Sequence, residues 1–188
     1  MRPIAGMAAS LFAATAIPAM AVAATIGGVD YATQYDYREF HQVADGKAFR
    51  VVLEGLAFPS ADARQTASGL LRQMQANRPP PRLAFTYDVP PEKPRPDYRL
   101  VLVFDTANDL GADSVCATGK VRHRAATPGR LHVFAIYCRN DLALSQTTAW
   151  TAASGVEDPR VGVLFRDLFR TVFSDASGIN TRAGHFSR

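Results

Sequence analysis

The sequence predicts an α+β domain, a two-layer sandwich with one mainly antiparallel sheet of about six strands and two helices on one face. Three observations carry that expectation. Short apolar or alternating runs recur between Phe49 and Trp150, as strands require. Two longer stretches, near residues 60–76 and 158–173, instead repeat apolar residues at helical spacing. The resulting order, β-α-β-β-β-β-β-α, lets both helices cover the same side of a sheet, with a right-handed crossover in the first β-α-β unit.

Residues 24–46 are polar apart from an aromatic cluster at Tyr31, Tyr35, Tyr37 and Phe40, and read as an extension ahead of the domain. Asp45-Gly46 marks a turn, and Phe49 to Leu53 a short strand. Ser60 or Asp62 can cap a helix reaching about Ala76, with Ala67, Leu70, Leu71 and Met74 on one face. Gly69 is a poor helix former in its middle, and Asn77 with Pro79, Pro80 and Pro81 ends it. Leu83, Phe85, Tyr87 and Val89 alternate with smaller or polar residues, as in a half-buried strand. Residues 90–96, PPEKPRP, make an extended connector.

Leu100 to Phe104 is apolar at every position, which fits a strand covered on both faces. A polar loop spans 106–114. Val115 to His123 and Leu131 to Cys138 then read as paired strands around Pro128-Gly129. Leu142, Leu144, Gln146, Thr148 and Trp150 suggest one more strand. The last helix starts with Asp158 as cap and Pro159 in the first turn, where a missing N–H is harmless. Val161, Leu164, Phe165, Leu168, Phe169, Val172 and Phe173 form its apolar face. The domain is thus expected over 47–175, with a loose tail at 176–188.

Residues 1–23 read as a secretory signal peptide. Arg2 precedes an apolar run, Pro18 breaks it, and Ala21-Val22-Ala23 offers a small-x-small cleavage site. A retained anchor is the alternative, since Ile4 to Ala24 nearly reaches spanning length. Cleavage implies a periplasmic or secreted protein, and no later stretch is apolar for long enough to cross a bilayer. The net charge of +4 is mild, so nucleic acid is not an expected partner. Cys116 and Cys138 are the only cysteines, and an exported pair is expected to form a disulfide. Placing them opposite each other in an antiparallel pair sets Lys120 against Phe134 and Arg122 against His132. The second face of that pair is then mostly apolar.

Signatures of common enzymes are missing: there is no G-x-S-x-G, H-E-x-x-H, C-x-x-C or G-x-G-x-x-G. Ser114 to Val121 has the Gly-Lys pair of a phosphate loop, but Ser114 replaces its first glycine and Val121 its magnesium-binding hydroxyl. Asp105, Asn108, Asp109 and Asp113 lack the glycine and glutamate of a calcium loop, which Leu110 and Cys116 replace. No metal and no cofactor are expected. A hydrolase would have to draw on residues such as Ser145, His132 and Asp141, whose spacing is uninformative.

Lys120, Arg122, His123, Arg124, Arg130 and His132 fall within thirteen positions that hold no acidic residue. On a hairpin tip such a cluster would suit anionic lipid head groups or an acidic envelope protein. The same charges would also serve merely to keep a turn solvated and an edge strand unpaired.

The stretches YRLVLVFD, LHVFAIYC and LALSQTTAW, followed by DPRVGVLFRDLF, resemble an exported bacterial envelope family of unknown function. The order of elements is also similar to auxiliary lipoproteins of lipid transporters, although this chain has no lipidated cysteine. The resemblance implies an envelope location and assigns no catalytic residue. Three functions remain in view. One is a non-enzymatic periplasmic protein that binds or scaffolds an anionic envelope component or acidic partner. Another is a small periplasmic or secreted enzyme, such as a hydrolase, with an unrecognised site. A small-ligand site at Tyr35, Tyr37 and Phe40 is a third.

Overall fold

A computed structural model describes residues 24–90 and 96–175. The expected signal peptide, most of the 90–96 connector and the tail lie outside the described residues. The elements are β1 (Thr25–Tyr31), α1 (Tyr37–Ala44), β2 (Ala48–Glu54), α2 (Ala63–Ala76), β3 (Ala84–Thr86), β4 (Tyr98–Phe104), α3 (Ala112–Thr118), β5 (Arg130–Arg139), β6 (Leu142–Ala152) and α4 (Pro159–Val172). The α+β class and the six-stranded sheet are as expected. The sheet runs β1-β6-β5-β4-β2-β3. Its pairs are antiparallel from β1 through β4, while β2 lies parallel to both β4 and β3.

Alternation along the strands sorts the core. Val51, Leu100, Leu102, Phe104, Val133, Ala135 and Tyr137 face the main core with Leu70 and Met74 of α2 and the buried face of α4. That face of α4 carries Val161, Leu164, Phe165, Leu168, Phe169 and Val172, as its spacing requires. Asp158 accepts a hydrogen bond from the Arg160 backbone N–H, and Asp62 caps α2 through Gln65 N–H at 2.7 Å. Gly69 is explained by packing. A Cβ there would collide with the side chain of Val156, so the glycine lets the β6–α4 connection lie against α2.

Two local expectations are corrected. The segment 24–46, read as an extension, supplies β1 and α1 to the same sheet and core. Phe40 is fully buried and stacks on Phe173 at 4.1 Å between ring centroids. Glu39 accepts from Tyr98 Oη at 2.5 Å and pairs with Arg139 at 2.9 Å, tying α1 to β4 and β5. The second correction concerns residues 115–123, read as a strand. Residues 112–118 form α3, ended by Gly119 in the left-handed conformation at φ 67°. Ala112, Val115 and Cys116, at helical spacing, close a second small core with Val101, Val103, Phe134, Ile136 and Cys138 on the opposite side of the sheet.

The Cys116–Cys138 disulfide is present. It joins α3 to β5 rather than two strands. Cys138 is instead flanked in the sheet by Arg99 and Ala143, so the register proposed from the cysteines does not exist. β5 already has a partner on each side, which leaves residues 115–123 no edge to occupy.

Candidate anion-binding site

β5 and β6 place alternate residues on the sheet face that α3 only partly covers. Arg130, His132 and Phe134 point there from β5, and Gln146, Thr148 and Trp150 from β6, with His132 paired in register with Trp150. The Arg130 guanidinium lies over the Trp150 ring, 3.8 Å from its centroid, in cation–π geometry.

The segment 122–124 reaches this region because its backbone is strapped to the chain that leaves β4. Arg124 N–H donates to Asp105 O at 2.7 Å, and Ala107 N–H donates to Arg122 O at 3.0 Å. His123 meets the Phe104 carbonyl through Nδ1 at 2.9 Å. Its ring packs so closely on Gly55, at φ 84°, that a side chain at that position would strike it. Asp105 itself sits at φ 46°, which turns the chain out of β4. Burial raises its carboxyl above the ordinary range, with Arg124 and His123 acting in the opposite direction.

The six basic candidates therefore separate. Arg124, Arg130 and His132 share one electrostatic environment: burial first, then Arg124 and Arg130, push the His132 imidazole down to about 4. It is neutral at neutral pH. Arg122 is neutralised by Asp109 at 2.8 Å. His123 is held by backbone, and Lys120 follows the C-cap of α3 as an exposed side chain. The sequence window holds no acid, yet the fold brings Asp105 and Asp109 to it from fifteen or so residues upstream. Among the described residues no carboxylate lies within 4.0 Å of Arg124 or Arg130. Arg130 Nε and His132 Nδ1 are buried without hydrogen-bond partners.

Beside these groups runs an open groove of about 410 Å³. Asp30, Asn108, Gln146, Thr148 and His132 supply its hydrogen-bonding groups, and Gly28, Leu110 and Phe134 are among its other lining residues. Trp150 and Thr148 were legible as strand residues, but nothing in the sequence linked them to the basic segment.

No family is matched by this sequence, and no curated protein matches it. Among solved structures, the chain is similar to a PelC variant dodecamer from Paraburkholderia phytofirmans, at 11% identity and a TM-score of 0.41. That match covers 79% of this chain and 97% of the other. A second PelC dodecamer from the same organism gives 12% identity and a TM-score of 0.40, over 80% and 96% of the two chains. A likeness of that depth fixes neither a fold nor a ligand for this chain.

The other candidate sites do not assemble. Ser145 lies on the face turned to α4, where its hydroxyl donates to Val172 O at 2.7 Å. His132 lies on the opposite face, and Asp141 is in the turn at the far end of β5. Those three cannot form a nucleophile, base and orienter. The aromatic cluster is core: Tyr35 donates to Ser174 O at 2.8 Å, and Tyr31 to Thr171 O, sealing β1 and α1 onto the end of α4. No group of three or more potential metal ligands occurs among the described residues.

Proposed function

We propose that this chain is a periplasmic binding or scaffolding protein that holds an anionic group of an envelope component between Arg124 and Arg130, beside the groove. The observation that carries the reading is that Arg130, stacked on Trp150 beside His132, and Arg124, strapped to the end of β4, both bear electrostatically on His132, with no carboxylate within 4.0 Å of either among the described residues. A planar guanidinium presents paired donors suited to phosphate or carboxylate, and the groove beside it offers hydrogen bonds to the rest of a polar ligand. An envelope location is supported by the apolar leader at 4–23 with its Ala-x-Ala site, by the Cys116–Cys138 disulfide and by the resemblance to an exported family. No helix among the described residues is long and apolar enough to cross a membrane.

Titration of the protein with glycerol phosphate, followed by NMR of the His132 ring, tests the reading. A bound anion offsets the repulsion from the two arginines, so the His132 imidazole should titrate at higher pH in its presence. The shift should vanish in the Arg124→Gln/Arg130→Gln variant. No shift in the parent protein, or the same shift in the variant, removes the proposal.

A further inference from the structure

We infer that the end of the sheet bearing Arg124, Arg130 and Trp150 docks on the surface of an anionic phospholipid membrane. This rests on the anion-binding reading above and names the source of the anion as a lipid head group.

Four features meet at that end. It is where β1 and β5 begin and where β2, β4 and β6 finish, as the pairs Thr25↔Trp150, Arg130↔Ala152 and Glu54↔Val103 require. Large apolar side chains exposed among the described residues are Leu56, Val89 and Trp150, at 52%, 50% and 37%. Two of these, Leu56 and Trp150, are here. Leu56 follows Gly55, which packs on His123, so the β2–α2 turn and the basic segment lie side by side. Residues 125–129, Ala-Ala-Thr-Pro-Gly, form an uncharged and largely exposed loop between Arg124 and Arg130.

The fourth feature is the path of the chain. β1 starts at Thr25, the register partner of Trp150, so the apolar residues 4–23 are joined to this end and to no other. A retained leader held in a bilayer would tether this end of the sheet, and not the opposite one, next to the lipid surface. The chemistry fits that placement. Indole rings favour the boundary between head groups and acyl chains, and cations beside them are attracted to anionic lipid. Asp109 is occupied by Arg122, and Asp105, buried at the end of β4, attracts Arg124 through space without forming an ion pair with Arg124 or Arg130.

Trp150 is the only tryptophan of the chain, so its fluorescence reports on this end alone. The exported protein is mixed with phosphatidylglycerol vesicles and with phosphatidylcholine vesicles. Emission should shift to the blue with the first and not the second, and lipids brominated near the head group should quench it. Salt should reverse the effect. Arg124→Gln and Arg130→Gln should each weaken co-sedimentation about fivefold, the equivalent of one surface cation. Leu56→Ser should weaken it without changing its salt dependence. Thermal melts confirm that each variant is folded.

Co-sedimentation without a Trp150 shift would mean another face binds, and overturns the inference. So does the absence of any vesicle binding while glycerol phosphate still shifts His132; in that case the anion site survives as a site for a soluble ligand. If neither probe binds, both readings fall together.

Discussion

The Arg130 guanidinium covers the Trp150 ring at 3.8 Å, and the next residue on the same face of β5 is His132, paired in register with that tryptophan. Arg130 is thereby held flat against the sheet, near a histidine that burial and two arginines keep neutral. The cation pair is positioned by strand geometry on one side and by the strapped segment 122–124 on the other.

Acid should therefore destabilise the protein through His132. Its folded-state pKa of about 4 lies below the ordinary 6.5, so the unfolded chain takes up the proton first. Stability should fall as pH drops from about 6.5 to about 4 and then cease to depend on this group. His132→Gln should flatten that limb in denaturant titrations at stepped pH. Asp158, lowered to about 2 chiefly by its hydrogen bond from the Arg160 side chain, contributes stability that disappears separately, between 3.8 and about 2. An unchanged limb in the variant would mean that other groups govern the acid response.

Loss of the disulfide should act on α3. Cys116→Ser with Cys138→Ser removes a link across a sequence separation of 22, worth about 3 kcal/mol in the chain-entropy description. The helix keeps its hydrogen bond from Arg99 to Cys116 O at 2.6 Å and its contact between Asp113 and Ala143 N–H. Hydrogen exchange should consequently rise over residues 105–124 before it rises in the sheet. Denaturation midpoints equal to those of the parent would contradict this account, as would two titratable thiols in the untreated parent.

Two substitutions in one aromatic core should move stability in opposite directions. Phe169 is fully buried against Phe85 and Phe165, and Phe169→Ala should cost about 3–5 kcal/mol. Tyr137 is equally buried, but its hydroxyl has no hydrogen-bond partner, and burial drives its pKa far upward. Tyr137→Phe removes that unsatisfied group and should raise stability by about 1 kcal/mol. Chemical denaturation of the two variants checks both; a destabilised Tyr137→Phe protein would mean that the hydroxyl has a partner in solution.

Features that depend on local pattern are legible in the amino-acid order alone. The cap and apolar stripe of α4 and the continuous apolar run of β4 follow from residues close together in the chain, the α+β class from the alternation of such stretches, and the disulfide pairing from there being only two cysteines. The rest depends on packing between distant segments. Seven residues at 112–118 have a period too short to separate helix from strand, and the two existing neighbours of β5 settle the matter by leaving no free edge. Residues 24–46 look polar because their few buried groups, Phe40 and Ala44 above all, are spaced along a short helix whose partners lie over a hundred residues away. The candidate site is non-local in the same way: strand register brings Arg130, His132 and Trp150 together and a backbone strap brings Arg124 within electrostatic reach of them, while Asp109 removes Arg122 from the set. Charge counted along a chain ignores the acids that folding carries in from elsewhere. Coulomb interactions depend on distance in space, and only the fold supplies that distance.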